Sequence, residues 1–452
     1  MPPISREVLR LAVPAIVHSL LQTFVFVVDR VMLGQHDVRS IAAMQIAGTL
    51  EWSIFSVFSA FTVGTVARVG RHVGARDLAG ARRAARLSLA LAVGIGIVAA
   101  ALTPVLLEFA SVVGREASSD VLAEARGYLG RTLPASPFVF LALAGFAVLQ
   151  ASGDTRTPLA VGVLSNLVHV ALNGVLINGA FGIAPMGARG AGTSTALTFA
   201  LEAACVTWLL TRRGARVSIV GEAPGGEALR AEWRALLDVG LPALLERVVY
   251  HAGFLGFVAL VALLGDDIMA ANQLVISVEA LCFMTGDGFG VAAAALVAQK
   301  VGERRPDHAL AAARAAWLYA VIALTTFGAA FFLGRHVIFR VFSRDAAVVL
   351  LAASATPVLA LAQPFMATGM VLGQALRGAG RTRTVFFVTT ACAFAVRIGS
   401  TLLFTRHLGM GMEGVWLGST ADWVLRAILV TALGGREGSY DLTGRAKASP
   451  PA

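Results

Sequence analysis

The stretch LRLAVPAIVHSLLQTFVFVVDRVMLG, from Leu9 to Gly34, decides how the chain is read. It is long and apolar enough to cross a bilayer as one α-helix, yet it contains Pro14 and Asp29, neither of which an inert anchor needs. At about 1.5 Å of rise per residue, Asp29 lies about 22 Å beyond Pro14, in the far half of the membrane if the N-terminus enters from the near side. A carboxylate costs about 2.5–3.5 kcal/mol at a helix centre on insertion scales, and the usual reasons to keep one are a proton, an ion or a polar cavity. The competing reading is that Asp29 pairs with Arg30 and both snorkel to the outer interface.

The rest of the chain is of the same kind. Its 452 residues are 57% hydrophobic and only 14% charged, which excludes a soluble domain. A net charge of +10 would point to nucleic acid in a soluble protein, but here the basic residues lie mostly in short loops between apolar segments, which is a topology signal. Cys205, Cys282 and Cys392 each sit inside an apolar segment without metal-ligand or redox spacing, so they read as packing residues. No small-residue cleavage site follows the first apolar run, which is therefore expected to stay as a helix.

Twelve apolar stretches follow one another, near 8–33, 41–68, 84–110, 121–150, 158–180, 190–211, 235–264, 268–298, 311–334, 346–376, 384–405 and 413–433. They are too long and continuous for an outer-membrane barrel, so the fold class is an all-α membrane protein. With the N-terminus inside, the inner loops hold most of the Lys and Arg, which places both termini in the cytoplasm. The halves repeat: LAVP from Leu11 returns as VGLP from Val239, VGARDLAGARRAA from Val73 as VGERRPDHALAAARAA from Val301, and QASGDTRT from Gln150 as QALRGAGRTRT from Gln374. The offset stays at about 224 to 228 residues across polar loops, and six spans per half make the repeat parallel. The expected organisation is an N-terminal six-helix lobe (1–211), a cytoplasmic linker (212–234) with the run GEAPGG, a C-terminal six-helix lobe (235–434) and a disordered cytoplasmic tail (435–452). Two such lobes enclose a cavity suited to alternating access.

Several of these stretches carry a family resemblance. The spacing from Pro14 to the VDRVMLG run, QASGDTRTP at 150–158, MGARGAGTST at 186–195, LPALLERV at 241–248, VEALCFMTGDGFGVAAAALVAQKVG at 278–302, ALRGAGRTRT at 375–384 and GMEGVWLG at 411–418 resemble the multidrug and toxic compound extrusion (MATE) transporters, and in places their DinF-like branch. The resemblance covers essentially the whole chain. It implies a two-lobed antiporter that expels organic cations or other amphipathic compounds against an inward proton or sodium flux. It also implies an amino-terminal polar site, in which the family's first-helix acid falls on Asp29 and its sixth-helix threonine on Thr195. The family's asparagine position is occupied by His169 and its second acid by Asn173, a departure from the pattern. These two are spaced i, i+4 and share one helix face, so they can converge on Asp29.

Sodium prefers several oxygen ligands, whereas one carboxylate, an amide, a hydroxyl and an imidazole favour a proton. The coupling ion is therefore read as H+, with Na+ at Asp29, Asn173 and Thr195 as the alternative. His169 either titrates or orients Asp29, or is simply a buried imidazole satisfied by a backbone carbonyl.

Other charges lie inside the spans. Glu51 and Glu279 occupy equivalent places in the two halves and are candidates either for a cationic-substrate cavity or for structural roles. Asp287, in TGDGFG, and Glu246 are further cavity candidates, and Pro14 and Pro242 are candidate gating kinks. Arg397, Asp422 and Arg426 are expected to form a network, with Asp422 and Arg426, at i, i+4, as an intrahelical pair.

The expected function is a proton-coupled exporter of amphipathic, cationic compounds in a bacterial inner membrane, the alternative being a lipid-linked precursor flippase of the same superfamily. No enzyme is expected, since neither a GxxxxGK[ST] run nor an HExxH run is present. No cofactor is expected beyond the coupling ion. The expected partners are a small-molecule substrate and membrane lipid, with no nucleic acid, and the expected state is a monomer.

Overall fold

The structure is a computed structural model that describes residues 3–115, 117–212, 214–222, 225–342, 345–434 and 440. The expected tail, apart from Tyr440, and Ala223 and Pro224 of the linker lie outside them. The described residues are helical throughout, with no strand among them. Eleven helices are long and apolar enough to cross a membrane: α1 (Ile4–His36), α2 (Ala42–Gly74), α3 (Leu78–Ala101), α4 (Ser119–Ala151), α5 (Arg156–Asn178), α6 (Gly187–Thr211), α7 (Glu227–Val261), α8 (Asp267–Gly302), α9 (Pro306–Phe342), α10 (Ala346–Gly378) and α11 (Thr382–His407). The twelfth expected span corresponds to α12 (Gly411–Gly434), which carries Glu413, Asp422 and Arg426.

The expected third span, 84–110, proves to be two helices. α3 starts earlier, where Asp77 Oδ1 accepts from Gly80 N at 2.8 Å, and a short apolar helix, Thr103–Val113, follows it. Pro104 separates them, because proline has no N–H to give a preceding turn and suits a helix's first positions. Pro134 has a comparable local effect in α4, where Leu133–Ala135 tightens into a 3-10 turn. α11 contains two π-helical segments, Cys392–Ile398 and Leu403–His407.

The residues group into two compact units. The first comprises Val17–Val69 and Asp77–Gly240, the second Met1–Ile16, Gly70–Arg76 and Leu241–Ala452. In the first, α6 packs on α5 and on both halves of α4, and Leu33, Met44, Tyr128, Leu129, Ile177 and Ala191 belong to a common core. In the second, α10 is central, packed by α8, α9 and α12 around alanine-rich surfaces. α4 and α10 thus occupy corresponding central places, as their repeat positions require.

The repeat extends to single backbone angles. Gly153 and Gly380 both take φ of +85°, and each is followed by the same closure: Asp154 N donates to Leu149 O and Arg381 N to Leu376 O, both at 2.9 Å. This is the reversed bond that ends a helix on a left-handed residue, which glycine adopts without a Cβ penalty. Arg76 and Arg304 repeat a second left-handed position, at φ 56° and 59°.

Glycine also sets how closely α6 approaches its neighbours. A Cβ on Gly190 would stand 2.4 Å from the Leu176 carbonyl oxygen on α5, and one on Gly192 would stand 2.7 Å from the Tyr128 carbonyl oxygen on α4. We expect Gly190→Ala to destabilise the detergent-solubilised protein by about 1–3 kcal/mol, the range for overpacking, measured by thermal unfolding. Gly94→Ala, on α3 with open space around it, is expected to leave stability unchanged or slightly raised.

Candidate functional site

Asp29 on α1, His169 and Asn173 on α5, and Ser194 and Thr198 on α6 meet within the first unit. Asp29 Oδ1 lies 2.8 Å from His169 Nε2 and accepts from Asn173 Nδ2 at 2.6 Å. The i, i+4 spacing on α5 therefore delivers two nitrogens to one carboxylate oxygen. The other ring nitrogen, His169 Nδ1, lies 3.1 Å from Thr198 Oγ1 and 3.3 Å from Ser194 Oγ. The side chains of Asp29 and His169 are 13% and 5% exposed. Arg30 does not pair with Asp29; its guanidinium lies over the Phe26 ring, 4.4 Å from the centroid.

Thr195 takes a different place from its neighbours. Its hydroxyl donates to the Ala191 carbonyl at 3.0 Å, and its side chain faces Tyr128 rather than Asp29. Tyr128 Oη in turn donates to Glu51 Oε2 at 2.8 Å, so Glu51 is a buried member of the same polar interior. Glu202, also buried, faces Ser165 and Gln22, and both glutamates are near enough to His169 to interact electrostatically with it.

The second unit handles its carboxylates differently. Glu246 is gripped by Arg377 through Nε, at 3.2 Å, and through Nη2, and accepts from Thr389 Oγ1 at 2.9 Å. Asp287 faces Arg247, Arg377 and Gln374, and Glu279 faces Arg397. Asp422, fully buried, is held by Arg426 at 2.8 Å and by Arg397 at 2.9 Å, so the network of Arg397, Asp422 and Arg426 expected from the sequence forms, with the i, i+4 pair inside it. Pro14 and Pro242 both lie within long continuous helices, α1 and α7, close to the points at which those helices pass from one unit to the other.

Sequence reasoning brought Asp29, His169 and Asn173 to one place and passed over Ser194, Thr198 and Tyr128. A signal for the first two was present. Ser194 and Thr198 repeat on α6 the i, i+4 spacing of His169 and Asn173 on α5. Arg377 and Thr389 carried no local signal, being far from Glu246 in the chain.

A family model matches the chain twice, over residues 14–175 and 242–403. The chain belongs to the MatE family. The two matches reproduce the internal repeat, and MatE proteins are membrane transporters, so the chain is a multi-pass transporter rather than an enzyme. Among curated MatE relatives, the probable multidrug resistance protein NorM of Thermotoga maritima is 27% identical, covering 95% of this chain and 92% of its own. Its namesake in Pseudomonas aeruginosa is 29% identical, covering 94% and 88%. In fold, the chain is similar to a MATE crystal structure described as straight, with a TM-score of 0.87 at 20% identity, covering 97% of each chain. A structure described as an outward-facing multidrug resistance MATE family transporter gives 0.86 at 20% identity, covering 97% of this chain and 96% of its own.

The Glu246–Arg377 pair yields a stability test. Glu246→Gln or Arg377→Met alone leaves a buried charge without its partner and is expected to destabilise by about 3–5 kcal/mol in thermal unfolding. The double variant is expected to recover most of that loss.

Proposed function

We propose that this MatE transporter is a secondary antiporter that exports amphipathic, cationic organic compounds in exchange for protons taken up at Asp29. The observation that carries the reading is the Asp29 carboxylate, retained in a membrane helix and met by His169 and Asn173 without a cationic partner. A carboxylate kept there at an insertion cost fits a group that binds and releases an ion during transport. Two nitrogens on Asp29 Oδ1, with Thr195 turned to Ala191, favour a proton over Na+, which would need those positions to present oxygen.

The substrate class is taken from the relatives named as multidrug resistance proteins. Glu51, Glu279, Asp287 and Glu246 are proposed to contribute acidic character to the substrate path. The two six-helix lobes, 1–211 and 235–434, are proposed to alternate access, with Pro14 and Pro242 as the bending points of α1 and α7. The DinF-like affiliation rests on the loop sequences alone. The membrane is proposed to be the bacterial inner membrane, with both termini cytoplasmic and the monomer as the working unit. The driving force needs no ATP, because each charge moved down 100 mV supplies about 2.3 kcal/mol.

The test is efflux of a fluorescent organic cation from proteoliposomes under an imposed pH gradient or an imposed sodium gradient. A pH gradient alone is expected to drive efflux, and Asp29→Asn is expected to lower it at least tenfold while keeping the wild-type unfolding temperature. Normal transport by Asp29→Asn, or efflux driven by sodium alone, overturns the assignment. Asn173→Asp, which supplies a second acid and an oxygen ligand, is expected to add sodium dependence.

A further inference from the structure

The hydrogen bonds around His169 determine where its protons must be. Ser194 Oγ donates to the His169 carbonyl at 3.1 Å, and Thr198 Oγ1 donates to the Ser194 carbonyl at 2.8 Å. Each hydroxyl has one hydrogen, and a carbonyl can only accept, so both hydrogens are used on the α5 and α6 backbones. What the two hydroxyls present to His169 Nδ1 is lone pairs. With those hydrogens on the backbone carbonyls, the tautomer that matches both contacts is Nδ1–H, donating to Thr198 Oγ1 at 3.1 Å with Ser194 Oγ at 3.3 Å.

That assignment constrains the opposite nitrogen. In a neutral imidazole with Nδ1 protonated, Nε2 is an acceptor, and it faces a carboxylate oxygen, also an acceptor, at 2.8 Å. Asn173 Nδ2, 2.6 Å from Asp29 Oδ1, also lies 3.1 Å from Nε2 and has a hydrogen for each, but the direct 2.8 Å approach of Nε2 to Oδ1 is itself a hydrogen bond only if one more proton lies between them. It is either on Asp29, as O–H···N, or on His169, as N–H···O, and both forms leave the pair electrically neutral.

Charge accounting leads to the same result. The site is nearly closed to solvent, and the ionisable groups facing it from the surrounding helices are Glu51 on α2, Tyr128 on α4 and Glu202 on α6. Arg30 on α1 is turned to Phe26. A bare carboxylate beside a neutral imidazole would put an uncompensated negative charge among further acids, which a buried site does not tolerate cheaply.

We propose that Asp29 and His169 hold one shared proton between Oδ1 and Nε2, and that Ser194 and Thr198 are positioning residues that make this possible by holding His169 in its Nδ1–H form. Loss of that proton to water turns the 2.8 Å hydrogen bond into a contact between two acceptors and leaves Asn173 as the hydrogen-bonding link from α5 to Asp29. The proposal rests on proton coupling at Asp29 and adds that the coupling group is the pair rather than the acid alone.

The test is nitrogen NMR of the full-length protein in lipid bilayers, with 15N-labelled histidine and the His169 signals assigned by their loss in His169→Asn. His169 is expected to show a protonated Nδ1 near neutral pH. Its Nε2 is expected to titrate in the wild type and to lose that titration in Asp29→Asn. Ser194→Ala/Thr198→Val is expected to mix the two tautomers and to shift the pH midpoint of efflux while leaving the unfolding temperature within a few degrees. A bare Nδ1 with a protonated Nε2 in the wild type overturns the proposal, and so does an Nε2 that titrates unchanged in Asp29→Asn. These spectra need no transport, so the two readings fail separately. A shared proton without pH-driven efflux defeats only the antiport reading, and pH-driven efflux with a bare Nδ1 defeats only this one.

Discussion

The interaction on which the first unit depends is the burial of a carboxylate on a membrane helix with a histidine rather than a lysine or arginine beside it. A charge in that setting has to be neutralised by a partner, hydrated by a cavity or protonated, and among the described residues Asp29 is met by an imidazole and an amide. The surrounding construction follows from this need. α5 supplies two nitrogens at i, i+4, and α6 comes close enough to orient the ring from behind. The small residues of the GARGAG run, Gly190 and Gly192 above all, permit that approach against the α5 and α4 backbones.

Ser194 and Thr198 illustrate how a helix can set the chemistry of its neighbour. A hydroxyl that bonds the carbonyl four residues back in its own helix, as Thr198 does, is often a minor packing device. Here it fixes the direction of the hydroxyl's single hydrogen, and thereby which histidine nitrogen can carry one.

Much of the fold was legible in the sequence because membrane helices declare themselves by length and apolarity, and because a repeat at constant offset is hard to produce by chance. The break at Pro104 and the early start of α3 at Asp77 escaped the apolar run, since hydrophobicity does not register a cap or a missing N–H. The site was legible only in part. Asp29 stands out as a charge where charge is costly, and His169 and Asn173 by their spacing. The partners of Glu246 were hidden, because Arg377 and Thr389 reach it by tertiary packing, and no local pattern records that. Thr195 shows the opposite difficulty: it lies next to Ser194 in the chain yet faces another way, because adjacent helical positions do not share a face.

The two units set the same backbone repeat to different electrostatic uses. Gly153 and Gly380 close equivalent helix ends with equal angles, so the scaffold is held in common down to the turn. In the second unit the buried acids face arginines, which have no accessible neutral form, and Glu246 and Asp422 are held in place as permanent ion pairs. The first unit has such a pair as well, Glu232 held by Arg68 at 2.8 Å, but the partner of Asp29 is a histidine, the one basic side chain whose charge changes near physiological pH. An arginine at position 169 would neutralise Asp29 once and permanently. A histidine neutralises it only while a proton is present, and that conditional neutrality is what the proposed coupling role requires and a structural salt bridge lacks.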